Sequence, residues 1–283
     1  MTGNRGNFLK GSVKRILVPV NFSSKCSLAM EHAVVVARVY GASIFVMHVV
    51  DSTILVAGGA PGVLNEVSSR AEIALEEMAA IVREQQIECM TILRQGPLDS
   101  QIQEVIAEYE IDVLILATRA GTALAGLSLA STAERILRKT MIPVLIVCEC
   151  RPIRKWSGKG CINIFYATDL SPESIRSFEF AHAMQRRFCA DFTLAHVSPK
   201  HAAPEKAEAA RQQLYKLADG TSSKVEILQG PIGRAVCEAS AKAGADLIVV
   251  GVHKHSVLRE VLIGHNLLDI LYGASCPVLT VRI

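Results

Sequence analysis

The sequence predicts an α/β protein made of two copies of one unit, each a five-stranded parallel sheet with flanking helices. Three observations carry that expectation. Short apolar, β-branched runs alternate with segments of helical spacing, the pattern of βαβ units whose strands are covered on both faces. The stretch Asp246–Val281, DLIVVGVHKHSVLREVLIGHNLLDILYGASCPVLTV, reads as buried strand, ligand-facing loop, helix and second buried strand. The same plan stands 134 positions earlier, where Asp112, Ala117, Pro143 and Val147 answer Asp246, Gly251, Pro277 and Val281.

Taken in order, Arg15–Val20 is the first strand, with Pro19 near its end where a missing N–H is tolerated. Ser23 or Ser24 is placed to cap the following helix, which runs through Leu28, Ala33 and Val36 to Tyr40 and stops at Gly41. Ser43–Val50 is the second strand. Asp51–Val67 has paired glycines, a Pro-Gly turn signal and no clear period, so it reads as a loop over the sheet or a partner-contacting flap. Ser69–Gln86 is helical, Glu88–Leu93 the third strand, Pro97 the opening of a third helix and Asp112–Ala117 the fourth strand. The closing helix has its second-copy counterpart at Leu267, Leu268 and Leu271, opened by Gly264 and capped by Gly273, and the last strands are Val144–Val147 and Val278–Val281.

The second copy overlays the first at a shift of 148 from Ile164 to Val197, so that Asn21 meets Asp169, Ser23 meets Ser171 and His48 meets His196. From Gln95-Gly96-Pro97 onward the shift is 134, so the second copy is fourteen residues shorter between its second and third strands. It keeps one helix there, from Pro204 to about Leu217. The expected domains are 13–150 and 161–283, joined by the basic linker 151–160, RPIRKWSGKG, which reads as solvated with Trp156 tucked against a domain, or as a patch for an anionic partner. The last strands of the two sheets, otherwise bare apolar edges, are expected to pair and make an internal pseudo-dimer.

Composition narrows the function. Half of the 283 residues are hydrophobic and a fifth are charged, enough for real cores. A net charge of +3 with no basic stripe argues against a nucleic-acid partner. No apolar run is long enough to span a membrane, and the first fifteen residues read as a frayed tail without a secretory core, so a cytoplasmic location is expected. The eight dispersed cysteines suit reduced thiols; Cys148, Cys150 and Cys161 cluster, but a metal site wants four regularly spaced ligands.

Strands ending Val18-Pro19-Val20-Asn21 and Tyr166-Ala167-Thr168-Asp169, each before a Ser-containing helix start, together with His48-Val49 and His196-Val197, resemble the universal stress protein family. Ala133-Glu134-Arg135-Ile136-Leu137 and the two Pro-Val-Leu strands strengthen the resemblance, which covers all but the tail, the linker and 51–67. It implies two tandem flavodoxin-like (adenine nucleotide α-hydrolase-like) domains.

It also implies ATP as the cofactor, held by a Gly-x2-Gly-x9-Gly-Ser/Thr loop whose glycines let backbone N–H groups approach phosphates, with an acid at the first strand's end on the nucleoside. Its site residues would be Val20, Asn21, Val49, Ala117, Ala120, Ala130, Ser131 and Thr132 in the first copy. In the second they would be Thr168, Asp169, Val197, Gly251, Lys254, Gly264 and His265. Both copies depart from the pattern. In the first, Ala117, Ala120 and Ala130 stand at the glycine positions and Asn21 at the acid, while Ser131 and Thr132 keep hydroxyls. In the second, Lys254 replaces the middle glycine and His265 the hydroxyl. Lys254 would either fill the phosphate place or neutralise a phosphate from the rim.

Each candidate has a plainer reading. Asp169 is a nucleoside contact or an N-cap. His48 and His196 are packed strand-end rings or ligands. His253, Lys254, His255 and His265 are a solvated loop or an anion or metal site. No catalytic triad, activated cysteine or carboxylate pair is visible, so no catalytic residue is expected. The sequence therefore points to a stress-response binding or regulatory module with degenerate nucleotide loops, the alternative being a genuine nucleotide binder with slow ATPase activity. A homodimer and an unknown protein partner remain open, as does a scaffold role for the 51–67 flap.

Overall fold

The computed structural model describes residues 12–50, 61–118, 129–147, 162–199, 203–252 and 265–282, without the side chains of 61–63 and 129–132. The first half runs β1 (Arg15–Pro19), α1 (Cys26–Tyr40), β2 (Ser43–Val50), α2 (Pro61–Arg83), β3 (Cys89–Gln95), α3 (Leu98–Glu108), β4 (Val113–Ala117), α4 (Leu129–Lys139) and β5 (Val144–Val147). The second half repeats it as β6 (Asn163–Thr168), α5 (Ser174–Phe188), β7 (Asp191–Ser198), α6 (Pro204–Ala218), β8 (Ser223–Gln229), α7 (Ile232–Lys242), β9 (Leu247–Val252), α8 (His265–Gly273) and β10 (Val278–Arg282). Central strands such as β1, β4 and β9 are aliphatic and buried on both faces, as a parallel sheet covered by helices requires.

The strands form one sheet in the order β3-β2-β1-β4-β5-β10-β9-β6-β7-β8. Every neighbouring pair is parallel except β5 and β10, which are antiparallel and join the halves. Leu145 faces Leu279, flanked by Val144 with Thr280 and Ile146 with Val278. Leu145 and Leu279 are equivalent residues of the two copies, so a pseudo-twofold axis passes through that pair. The expected meeting of the two sheets through their last strands is what the structure shows. Thr280 donates its hydroxyl across the seam to the Val144 carbonyl at 3.3 Å.

Two further contacts close the seam. Equivalent residues Tyr40 and Phe188, at the ends of α1 and α5, meet edge-on with centroids 6.1 Å apart, and Arg187 sits 5.8 Å above the Tyr40 ring. Arg282 at the end of β10 reaches into the first half, donating to the carbonyls of Thr140 (3.0 Å) and Leu137 at the C-terminal end of α4, where the helix dipole favours a cation. At the starts of the strands, buried Asp112 accepts the N–H groups of Lys14 and Arg15 at 2.7 and 3.0 Å, and its counterpart Asp246 accepts that of Asn163 at 2.9 Å. These carboxylates fix where β1 and β6 start beside β4 and β9.

Several local expectations need correction. α2 begins at Pro61, not Ser69, so part of the expected loop or flap is helical. Proline fits a first helical turn, and Leu64, Val67, Ala71, Leu75, Ala79 and Val82 form one stripe at helical spacing that the glycines before it disguise. Residues 51–60 lie outside the described residues, as do the N-terminal tail and the linker. Neither Ser23 nor Ser24 caps α1; the residue before it is Lys25, without a side-chain cap. Gly41 does end α1 in the left-handed region (φ 69°). Cys189 repeats that conformation after α5 (φ 49°), where a side chain costs about 1 kcal/mol. Gly273 is the last residue of α8 rather than a left-handed cap; a Cβ there would lie 3.0 Å from Cys237 Sγ, so close packing is what it serves.

α1 also buries a histidine. His32 is 1% exposed, with Nδ1 2.8 Å from the Leu28 carbonyl, and burial holds its pKa below the ordinary value. The equivalent position in α5 is Phe180. Because the unfolded chain takes up a proton more readily than the folded one, stability falls as pH drops through and below about 6.5. His32→Phe is expected to remove part of that loss, seen as a smaller difference between urea midpoints measured near pH 7.5 and pH 5.

Candidate functional site

In each half the chain reverses its winding between two central strands, β1 and β4 or β6 and β9, and a crevice opens at their carboxyl ends. The loops after β1 and β6 build one wall, and they are close copies. Phe22 and Leu170, equivalent residues, both take left-handed backbone (φ 58° and 62°), turning the chain sharply into the helix.

In the first half, Asn21 Oδ1 accepts the Ser23 N–H (3.2 Å), the Ser23 hydroxyl (2.7 Å) and the Cys26 thiol (3.1 Å), while the Asn21 N–H donates to Cys26 Sγ at 3.2 Å. In the second, Asp169 Oδ1 accepts the Ser171 N–H at 3.0 Å. Ser171 Oγ then accepts the Ser174 N–H at 3.2 Å, so Ser171 and Asp169 brace the turn that leads into α5, whose preceding residue Glu173 has no side-chain cap. Thr168 Oγ1 accepts from the Leu170 N–H (3.0 Å) and donates to Ser174 Oγ (3.1 Å), which donates to the Ser171 carbonyl (2.6 Å). Beneath lies Tyr166, its hydroxyl 3.0 Å from the Ser174 carbonyl and 2.9 Å from Ser177 Oγ; burial pushes its pKa up despite these partners. The first half has Val18 in place of this buried phenol.

His48 and His196 have partners that the sequence did not reveal. Nδ1 of His48 lies 2.8 Å from the Val20 carbonyl, and Nδ1 of His196 lies 2.9 Å from the Thr168 carbonyl. A carbonyl only accepts, so each Nδ1 carries the proton. The rings thus tie the end of one strand to the next, and Phe22 covers His48 at 4.5 Å.

The first crevice has a volume of about 290 Å³ and brings together Val20, Asn21 and Ala117 of the expected residues, with Ser23, Lys25, Cys26 and Thr118 at the mouth. Its body is apolar: Leu98, Leu116, Ile136, Leu137 and Ile146. The second, about 440 Å³, gathers Thr168, Asp169, Val197 and Gly251, with His196, Pro199 and Asn266. Val49 does not line the first crevice and packs half-buried against the core. His265 opens α8, exposed. Ala120, His253, Lys254, His255 and Gly264 lie outside the described residues, and the side chains of Ala130, Ser131 and Thr132 are not described.

Sequence reasoning missed one wall altogether. Leu268, Leu271 and Tyr272 on α8, part of the second half, line the first crevice. The equivalent residues of α4 are Glu134, Leu137 and Arg138, so the change from an ion-pairing couple to Leu and Tyr was a readable signal. Among the described lining of the second crevice nothing crosses from the first half.

The family model of the universal stress protein family matches residues 12–147 and again 163–282. The chain belongs to the universal stress protein family. It is a tandem member, with one match per half. Universal stress protein Slr1230 of Synechocystis is 25% identical over 218 residues, 75% of this chain and 72% of that protein. Universal stress protein MJ0531 of Methanocaldococcus jannaschii is 26% identical over 138 residues, 47% of this chain and 81% of that one. A universal stress protein structure from Archaeoglobus fulgidus superposes with a TM-score of 0.75 at 18% identity, covering 95% of this chain and 98% of that one. A functionally unknown protein of Pseudomonas aeruginosa, PA1789, gives 0.71 at 18% identity over 96% and 94%. These likenesses show a universal stress protein fold. No helix among the described residues is long and apolar enough to cross a membrane.

Proposed function

We propose that this universal stress protein is a non-catalytic binding module, two units over 13–150 and 161–283, whose crevices hold Mg-ATP weakly or not at all. The observation that carries this reading is where the polar side chains of the crevices spend their hydrogen bonds. Asn21, Ser23 and Cys26 bond one another. Thr168, Ser171 and Ser174 do the same, and each histidine holds a backbone carbonyl. Groups so engaged brace the loops; none stands against a base as an activated nucleophile. Calorimetric titration with Mg-ATP tests the reading: the expected dissociation constant is weaker than roughly 0.1 mM, about −5.5 kcal/mol, and a sub-micromolar constant at either crevice overturns it.

A second reading, a nucleotide bound with slow hydrolysis, is favoured by one observation in the second half. Exposed Asp169 and Gly251 both line the second crevice, where a ribose would meet an acid and phosphates a Cβ-free backbone. If that reading holds, Asp169→Ala removes the titration signal, while Asn21→Ala leaves it.

A further inference from the structure

The first crevice is the one whose described lining crosses the seam. Its floor is Leu116, Ile136 and Ile146, and its far lip is Leu268, Leu271 and Tyr272 of the other half. Tyr272 is 44% exposed, a large ring at the lip of an apolar cleft. Glu134 also lines the cleft, but its carboxylate is held by Arg138, with Nε at 3.1 Å, so it adds little net negative field. The mouth is different in character. Asn21 Oδ1 is taken by three donors, which leaves the amide NH₂ as the group it offers a ligand. Lys25 also lines this end of the crevice, and the first turn of α1 carries no acid to offset its dipole.

An apolar body with donors and positive charge at one end defines its own ligand. We infer that the first crevice binds an amphipathic monoanion, a medium-length acyl chain or a pair of aromatic rings carrying one acidic group. The body lies between α4 and α8, and the acidic head sits at Asn21 and Lys25. The volume of about 290 Å³ is at the small end of ligand pockets, which run from about 300 Å³ upward, and suits such a body rather than a bulkier cofactor. The inference rests on the binding-module reading and names the ligand class of one of its crevices. It also makes the site depend on both halves, since the body is covered only while α8 stays in place.

The probe is anilinonaphthalene sulfonate, a two-ring body with one anionic head, titrated by fluorescence into the full chain and then displaced with decanoate. Saturable binding of one probe per chain is expected. Tyr272→Arg, which installs the residue of the equivalent α4 position, is expected to weaken it at least tenfold, and Leu268→Glu likewise. Lys25→Glu should weaken it several-fold, more at low salt. Tyr215→Arg, at another exposed tyrosine on α6, is the control and should change nothing. Unchanged near-ultraviolet circular dichroism shows each variant folded; Tyr272→Arg, at an exposed position, provides the result if Leu268→Glu does not fold. Absent saturation, failure of decanoate to displace the probe, or equal loss in Tyr272→Arg and Tyr215→Arg overturns the inference. Tight Mg-ATP binding that leaves the probe in place overturns only the binding-module reading, whereas ATP that expels it overturns both.

Discussion

Leu279→Asp is expected to cost at least about 4 kcal/mol and to split one unfolding transition into two. Leu279 and Leu145 are 2% and 3% exposed and face each other at the pseudo-twofold axis. Both belong to the core cluster under α1 and α5. An aspartate there meets aliphatic side chains from both halves, so it must either stay charged in an apolar site or take up a proton, and either is costly. The seam is four residues long on the β5 side, so it cannot absorb the loss by repacking elsewhere. Urea titrations followed by circular dichroism check this: two transitions, or one at much lower midpoint with a reduced slope, are expected. A single transition within 1 kcal/mol of wild type would show that the halves are held together by α1 with α5 and by Arg282.

Gly233→Leu should have the next largest effect, at least about 3 kcal/mol, from overpacking. Helix propensity would favour this change by about 0.5–1 kcal/mol, so any net loss reports packing alone. A Cβ at Gly233 would lie 2.2 Å from Asp269 Cβ, an atom close to the backbone of α8 that cannot swing away. Four residues on, Cys237 faces Gly273; burial first, then the nearby carboxylates, push its thiol up to about 11 and leave it inert. The first copy holds its helices differently. Asp99, equivalent to Gly233, bonds Lys139, equivalent to Gly273, at 2.5 Å, and the Lys139 ammonium holds the Asp99 carboxyl below the usual carboxylate range. An ion pair spaces α3 from α4, where glycines let α7 and α8 touch. Gly233→Ala should cost less than Gly233→Leu, and Asp269→Gly should recover part of either loss. Because α8 carries Leu268 and Tyr272, Gly233→Leu should also weaken probe binding in the first crevice. Equal stability of Gly233→Leu and wild type would mean the helices have room to part.

Much of this was legible in the residues. The β-branched runs located the strands because burial on both faces leaves no polar alternation. The constant 134-residue offset placed Leu145 opposite Leu279 in kind, and a twofold arrangement then follows from equivalence. What the residues hid was relational. Pro61-Gly62 reads as a turn locally, yet proline suits a first helical turn and the apolar stripe from Leu64 outweighs the glycines. The engagement of His48 and His196 depends on carbonyls 28 residues away. The α8 lip of the first crevice depends on how two halves dock, which no local pattern encodes. The expected loop residues Lys254 and Ala120 lie outside the described residues.

The antiparallel pairing of β5 with β10 has a consequence for how this protein can change. In a dimer of identical subunits, every substitution is made twice, once on each side of the axis, and a residue near the axis must suit its own image. Here one chain supplies both sides, at an effective concentration fixed by the linker and untouched by dilution. A residue at the seam therefore faces a neighbour that can differ from it, as Val144 faces Thr280 and Tyr40 faces Phe188. With both sides in one chain, symmetry does not bind them: among the described residues the first crevice takes a wall from the second half and the second takes none from the first.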